Sequence, residues 1–181
     1  PKAVLKVVQV EVKTSSLRIG YLKGAGDEIP TVLTELGYKV EFIEDADLDA
    51  EKLKRFDVII AGIRAYNTRD ILAVKNAELM KYVEQGGRYI VQYNTSNSLI
   101  QSEIGPFPFK ITRNRITVED APLSVLNPKH PVFNSPNAIV KADFEDWVQE
   151  RGLYFVGECD TRYMKLISGN DPGEKASDVI L

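Results

Sequence analysis

The chain has 181 residues, 44% hydrophobic and 27% charged, with a formal net charge of −3. That composition suits one folded domain with a sizeable core, and the negative balance is the wrong sign for a duplex-binding surface, so nucleic acid is not an expected partner. No apolar run approaches the roughly 18 residues of a membrane span, and with Cys159 as the single cysteine no intrachain disulfide can form.

Residues 3–12 alternate weakly between apolar and polar, a strand pattern. Residues 18–22 read as a short buried strand, followed by a turn at Gly24-Ala25-Gly26-Asp27. Pro30 suits a first helical turn, where its missing N–H has no partner to lose. Leu33 and Leu36 continue that helix and Gly37 stops it. A strand over 38–43, a short helix over 49–54 and an apolar strand over 57–61 follow, then a polar loop over 62–68. Leu72, Leu79, Met80 and Val83 fall on one face of the next helix, which Gly86-Gly87 ends. Residues 88–93 form another strand and Asn94-Thr95-Ser96-Asn97 another polar loop.

Strands alternating with helices at this spacing predict parallel βαβ units with helices on both sheet faces. The expected fold class is α/β, a doubly wound, mostly parallel, flavodoxin-like sheet, with residues 18–98 as its core half. After Leu99 the pattern changes. Pro106, Pro108, Pro122, Pro128, Pro131 and Pro136 punctuate an irregular stretch. Extended chain is expected over 110–118, a short helix over 142–149 carrying Phe144, Trp147 and Val148, and strands over 153–156 and 163–167. The whole is read as a single domain with an irregular insertion over 99–160 and a return to the sheet over 161–181. The chain opens on Pro1 and closes on a strand-like run from Asp178 to Leu181, from which a longer parent is expected.

In open parallel sheets ligands bind beyond the carboxyl ends of the strands. Loops 23–28, 62–68 and 92–98 meet that description and would gather Lys23, Asp27, Glu28, Arg64, Tyr66, Asn67, Gln92 and Asn94 around one crevice. Arg64, Asn67, Gln92 and Asn94 are the expected ligand contacts. Arginine offers a planar fork of donors, and the amides both donate and accept. The bland alternative is that such loops are polar because they face water.

Catalytic and cofactor patterns are missing. The Gly24-Ala25-Gly26 turn lacks the third glycine of a dinucleotide fingerprint, position 29 being Ile, and Asp27 and Glu28 put negative charge where phosphate would sit. One His and one Cys make no zinc site, and His130 reads as a loop imidazole with a local hydrogen bond. Ser96 has no neighbouring glycine for a nucleophile elbow toward His130. Cys159 lies between Glu158 and Asp160, which disfavour a thiolate. The pairs Glu119-Asp120 and Glu145-Asp146 read as solvated surface, and Trp147 as core in preference to a sugar platform. No catalytic residue, metal or cofactor is expected.

Several runs together carry a resemblance: Ile19-Gly20-Tyr21, Gly62-Ile63-Arg64-Ala65-Tyr66-Asn67, Val91-Gln92-Tyr93-Asn94-Thr95, Gly105-Pro106-Phe107-Pro108-Phe109, Val118-Glu119-Asp120-Ala121-Pro122 and Trp147 through Phe155. The set resembles the C-terminal region of bacterial proteins whose N-terminal part is a PIG-L (LmbE-like) N-acetylglucosamine deacetylase, a region similar in fold to class I glutamine amidotransferases and ThuA-like proteins. The resemblance implies a bacterial parent, cytoplasmic or periplasmic, whose zinc-dependent deacetylase domain lies outside these residues and is a partner of this one. It also implies that the amidotransferase nucleophile would fall at or near Asn94, where no Cys stands, and that the His-Pro-Glu motif finds only His130-Pro131-Val132. The leading expectation is therefore a non-catalytic accessory domain that binds a sugar-like ligand or packs on the deacetylase domain. A divergent hydrolase using His130 or Cys159 and a purely structural interface domain are the alternatives.

Overall fold

The computed structural model describes residues 11–144 and 152–180. Nearly all of the strand expected over 3–12, and the segment carrying Trp147, lie outside them.

Four strands, β1 (Arg18–Leu22), β2 (Lys39–Phe42), β3 (Val58–Ala61) and β4 (Arg88–Val91), form one sheet in the order β2-β1-β3-β4. Every neighbouring pair is parallel. The residues of β3 alternate between two cores, as a strand buried on both faces must. Val58 and Ile60 join Ile19 and Tyr21 on one face, against Leu33 of helix α1 (Ile29–Glu35). Ile59 and Ala61 point the other way, into a larger cluster with Leu22, Leu53, Leu72 and Leu79. That second face is covered by α2 (Ala50–Leu53) and α4 (Leu72–Glu84), with the one-turn helix α3 (Ala65–Thr68) beside them. Helices on both faces make the sheet doubly wound, as the sequence predicts. Full burial of each of those four leucines contributes about 1.5–3 kcal/mol.

Local chemistry sets the element ends. Pro30 sits in the first turn of α1. Asp49 caps α2, its Oδ1 accepting from the backbone N–H groups of Glu51 at 3.0 Å and Lys52 at 3.4 Å. Gly86 takes φ 94° just past α4, a left-handed turn suited to glycine, and lets the Gly87 N–H close on Tyr82 O at 2.9 Å.

The remainder differs from expectation. Residues 161–180 do not rejoin the parallel sheet. Strands β5 (Phe109–Ile111), β7 (Leu123–Val125), β9 (Val156–Cys159), β10 (Ile167–Gly169) and β11 (Ser177–Ile180) form a separate antiparallel sheet in the order β5-β9-β11-β10-β7. A two-stranded ribbon pairs β6 (Arg115–Ile116) with β8 (Gly152–Leu153). The physical reason is the connection. A parallel strand needs a crossover of about a dozen residues, usually a helix, and the proline-spaced chain after Leu99 supplies only single 3-10 turns at Pro131–Phe133 and Lys141–Phe144 among the described residues. The two sheets meet through Ile104, Phe109 and Ile111, which pack on the larger cluster of the parallel sheet.

Candidate functional site

The loops after β1, β3 and β4 meet at the carboxyl edge of the parallel sheet and are fastened backbone to backbone. Ala25 N–H donates to Ile63 O at 2.7 Å, and Arg64 N–H donates to Tyr93 O at 2.7 Å. The first contact explains Gly24. A Cβ at that position would lie 2.1 Å from Ile63 O, so only glycine lets the two loops approach.

The four expected contact residues stand on this rim in two different ways. Asn94 is buried, and both ends of its amide are engaged: Oδ1 accepts from Tyr66 N–H at 3.0 Å and Nδ2 donates to Gln92 O at 2.8 Å. Asn67 lies inside α3, where the sequence predicts a loop. Its Oδ1 accepts from Thr95 N–H at 2.9 Å while Nδ2 donates to Asn97 O at 3.0 Å. Gln92 donates from Nε2 to the Tyr21 hydroxyl at 2.8 Å. These three amides stitch the loops together. Arg64 is the exception. Its side chain is exposed, and among the described residues its guanidinium has no hydrogen-bond or ion-pair partner. Its backbone is left-handed, at φ 58° and ψ 25°, a region costly for a residue with a side chain.

Tyr21 is a participant that the sequence pattern does not single out. Its hydroxyl lies 2.7 Å from both carboxylate oxygens of Asp27, so it donates to that carboxylate while accepting from Gln92. Burial, and then the Asp27 carboxylate, raise the Tyr21 phenol well above the ordinary tyrosine range, so it holds its proton. Asp27 also accepts from Ile29 N–H at 3.0 Å and Ile63 N–H at 3.2 Å, which binds the start of α1 to the loop after β3. The signal in the sequence is a polar-tipped aromatic among the buried residues Ile19 to Leu22 of β1.

Tyr66 is wholly buried behind the rim. Its hydroxyl donates to Asn76 Oδ1 at 2.8 Å and lies 2.8 Å from the Tyr89 hydroxyl. Burial pushes the Tyr66 phenol up to about 12, and burial beside Tyr66 pushes Tyr89 up as well. Asn76, a polar residue on the buried face of α4, completes the network by donating to Glu103 O at 2.6 Å. The rim thus rests on a fully hydrogen-bonded buried layer.

The other candidates lie elsewhere. His130 Nδ1 accepts from Val132 N–H at 3.3 Å and caps the 3-10 turn Pro131–Phe133, the local bond expected of a loop imidazole. Cys159 is half-buried in β9, paired with Phe109 across the antiparallel sheet. Among the described residues no three His, Cys, Asp or Glu side chains converge on a point that could hold a metal, and no helix is long and apolar enough to cross a membrane. An open groove of about 680 Å³ lies on the antiparallel sheet, lined by residues that include Asn114, Lys165, Asn170 and Asp178. None of the four expected contact residues lines it, and Lys165 and Asp178 pair across it at 2.6 Å.

The parallel order β2-β1-β3-β4, the two-sided helix cover and the rim at the carboxyl ends define a flavodoxin-like fold of the class I glutamine amidotransferase-like kind. Among solved structures the chain is similar to a GMP synthase-type protein from Thermoplasma acidophilum, at 13% identity and a TM-score of 0.55, over 87% of this chain and 75% of that one. A ThuA-like protein from Bacteroides uniformis ATCC 8492 is similar at 17% identity and a TM-score of 0.47, over 88% of this chain and 71% of that one. No protein-family model matches the chain, and no curated protein matches its sequence.

Proposed function

We propose that this domain is a non-catalytic accessory module of a carbohydrate-active protein, of the PIG-L-like sugar N-deacetylase kind, and that it holds a polar, sugar-like ligand at the rim. The observation that carries the reading is the state of position 94. The amidotransferase resemblance would put a nucleophile there. Instead a buried amide uses both of its ends to hold Tyr66 and Gln92. Arg64 is the primary ligand contact. Its guanidinium is exposed, lacks a partner among the described residues and suits carboxylates or vicinal oxygens. Gln92, Asn67 and Asn94 hold the loops of the rim together around it.

The test is titration of the chain with amino sugars and uronic acids, followed by melting temperature and calorimetry, alongside Arg64→Ala. A ligand that raises the melting temperature of the parent chain and not of Arg64→Ala supports the reading. Turnover of amide or ester substrates that disappears in His130→Ala or Cys159→Ala would overturn it in favour of a divergent hydrolase.

One observation favours the second role, packing on a catalytic domain of the same parent. Ile90 pairs with Ile60 in the β3–β4 ladder and so faces the side covered by α1, yet it is 52% exposed. Val32 and Leu36 of the α1 region are also exposed on the molecule. Exposed apolar side chains such as these suit a covering domain. Ile90→Glu is expected to leave the isolated domain folded and to weaken its association with the separately produced deacetylase domain.

A further inference from the structure

Among the described residues three non-glycine positions take a left-handed backbone: Arg64 at φ 58°, Ser98 at φ 56° and Tyr154 at φ 59°. Such conformations cost of order 1 kcal/mol or more each and persist where the surrounding structure holds them. All three converge on the same rim. Arg64 is joined through its N–H to Tyr93 O at 2.7 Å. The carbonyl of Ser98 lies 3.4 Å from Asn67 Nδ2. Tyr154 comes from the other sheet, between β8 and β9, and sets its ring 5.8 Å from the ring of Tyr93, centroid to centroid, with the planes tilted by 41°.

The turn at Tyr154 separates two consecutive aromatics. Phe155 is 4% exposed in the cluster with Ile116 and Ala121. Tyr154 is directed away from that core and across to Tyr93, which remains 39% exposed. Neither phenol has a hydrogen-bond partner among the described residues, and neither ring belongs to a core cluster. Two half-exposed rings, tilted by 41° to one another, are therefore held next to the backbone of Arg64, whose N–H donates to Tyr93 O and whose side chain is exposed. Arg113 reaches the same loop, donating from Nη2 to Asn97 Oδ1 at 3.0 Å.

The geometry points to a saccharide-stacking platform formed by Tyr93 and Tyr154, selective for sugars that carry a carboxylate. This rests on the proposed ligand role of the rim and names its substrate class. Aromatic faces take the apolar C–H faces of sugar rings, while the phenol tips stay wet. A guanidinium donates to a carboxylate through two parallel N–H···O bonds. The platform spans both sheets, so it exists only when the antiparallel half is docked on the parallel half.

The test is calorimetric titration of the 181-residue chain with trigalacturonate and with neutral galactotriose. Trigalacturonate is expected to bind more tightly. Tyr93→Ala and Tyr154→Ala should each weaken it by about tenfold or more, and Tyr→Phe at either position should hold affinity within about twofold. Arg64→Ala should remove the preference over galactotriose. Should an alanine variant fail to fold, nuclear Overhauser transfer on the parent chain reads the same contact: the assigned ring protons of Tyr93 and Tyr154 must show cross-peaks to the sugar ring C–H protons. Undiminished binding by both alanine variants, or absent transfer, with Arg64→Ala still impaired, overturns the platform and leaves the rim as the binding site. Absence of binding to either saccharide by the parent chain, with an amino sugar still raising the melting temperature, overturns the platform and leaves the rim reading standing; absence of binding to every sugar overturns both.

Discussion

Asn94 and Tyr66 are joined side chain to backbone at 3.0 Å, and this bond ties the loop after β4 to the start of α3. Because Asn94 also donates to Gln92 O, neither an alanine nor a carboxylate can replace it. Asn94→Ala leaves a buried N–H and a carbonyl unpaired and should cost about 2–4 kcal/mol in urea denaturation. Asn94→Asp keeps the acceptor but turns a carboxylate oxygen toward Gln92 O in a buried site, so it too should lose stability, and more at neutral than at acid pH, where the carboxyl is protonated and can donate again.

Gly24→Ala should be among the most damaging single-methyl additions in the chain. The new carbon would have to displace a backbone carbonyl, that of Ile63, and not a pliable side chain. A loss of roughly 1–3 kcal/mol is expected, visible as a lowered melting temperature with weakened contact between the loops after β1 and β3.

Alkaline pH should unfold the protein through its buried phenols. The Tyr66 phenol is raised from 10.0 to about 12 by burial. Its stabilising contribution is therefore complete below pH 10 and lost as pH rises toward 12. Denaturation free energy should be flat up to the lower bound and fall beyond it, with tyrosinate absorbance rising in step. Tyr66→Phe should flatten part of that fall while lowering stability at neutral pH, since Asn76 and Tyr89 lose their partner.

Arg64→Gly should separate stability from binding. Glycine adopts the left-handed backbone without penalty, so relief of strain at φ 58° should raise stability by up to about 1 kcal/mol. The preference for a carboxylate-bearing saccharide at the rim should be lost in the same variant. A protein that is more stable and no longer distinguishes trigalacturonate from galactotriose is the expected result by melting curve and calorimetry together.

The parallel half is legible in the sequence because each of its elements carries its own signal. The apolar run Val58–Ala61 is a strand buried on both faces, Pro30 opens α1, and Gly86 follows α4. In the antiparallel half extended chain is legible over 110–118 and around 153–156, but the strand bounds and pairing are not, because strands as short as Arg115–Ile116 and Leu123–Val125 show no period. The meeting of Arg64, Asn67, Gln92 and Asn94 follows from the fold and is readable. Which amides turn inward is not, since Asn and Gln bond equally well to backbone, water or ligand. Tyr154 is hidden for a different reason. In the extended reading of 153–156 it takes an ordinary strand position, and only the backbone turn at φ 59° brings it to Tyr93.

The three loops of the rim share their bonds: Ala25 with Ile63, Arg64 with Tyr93, Asn67 with Thr95. An insertion or exchange in one of them would therefore have to be answered in the other two. The rim is thus one mechanical unit, and moving it onto another scaffold would succeed only if all three segments travelled together.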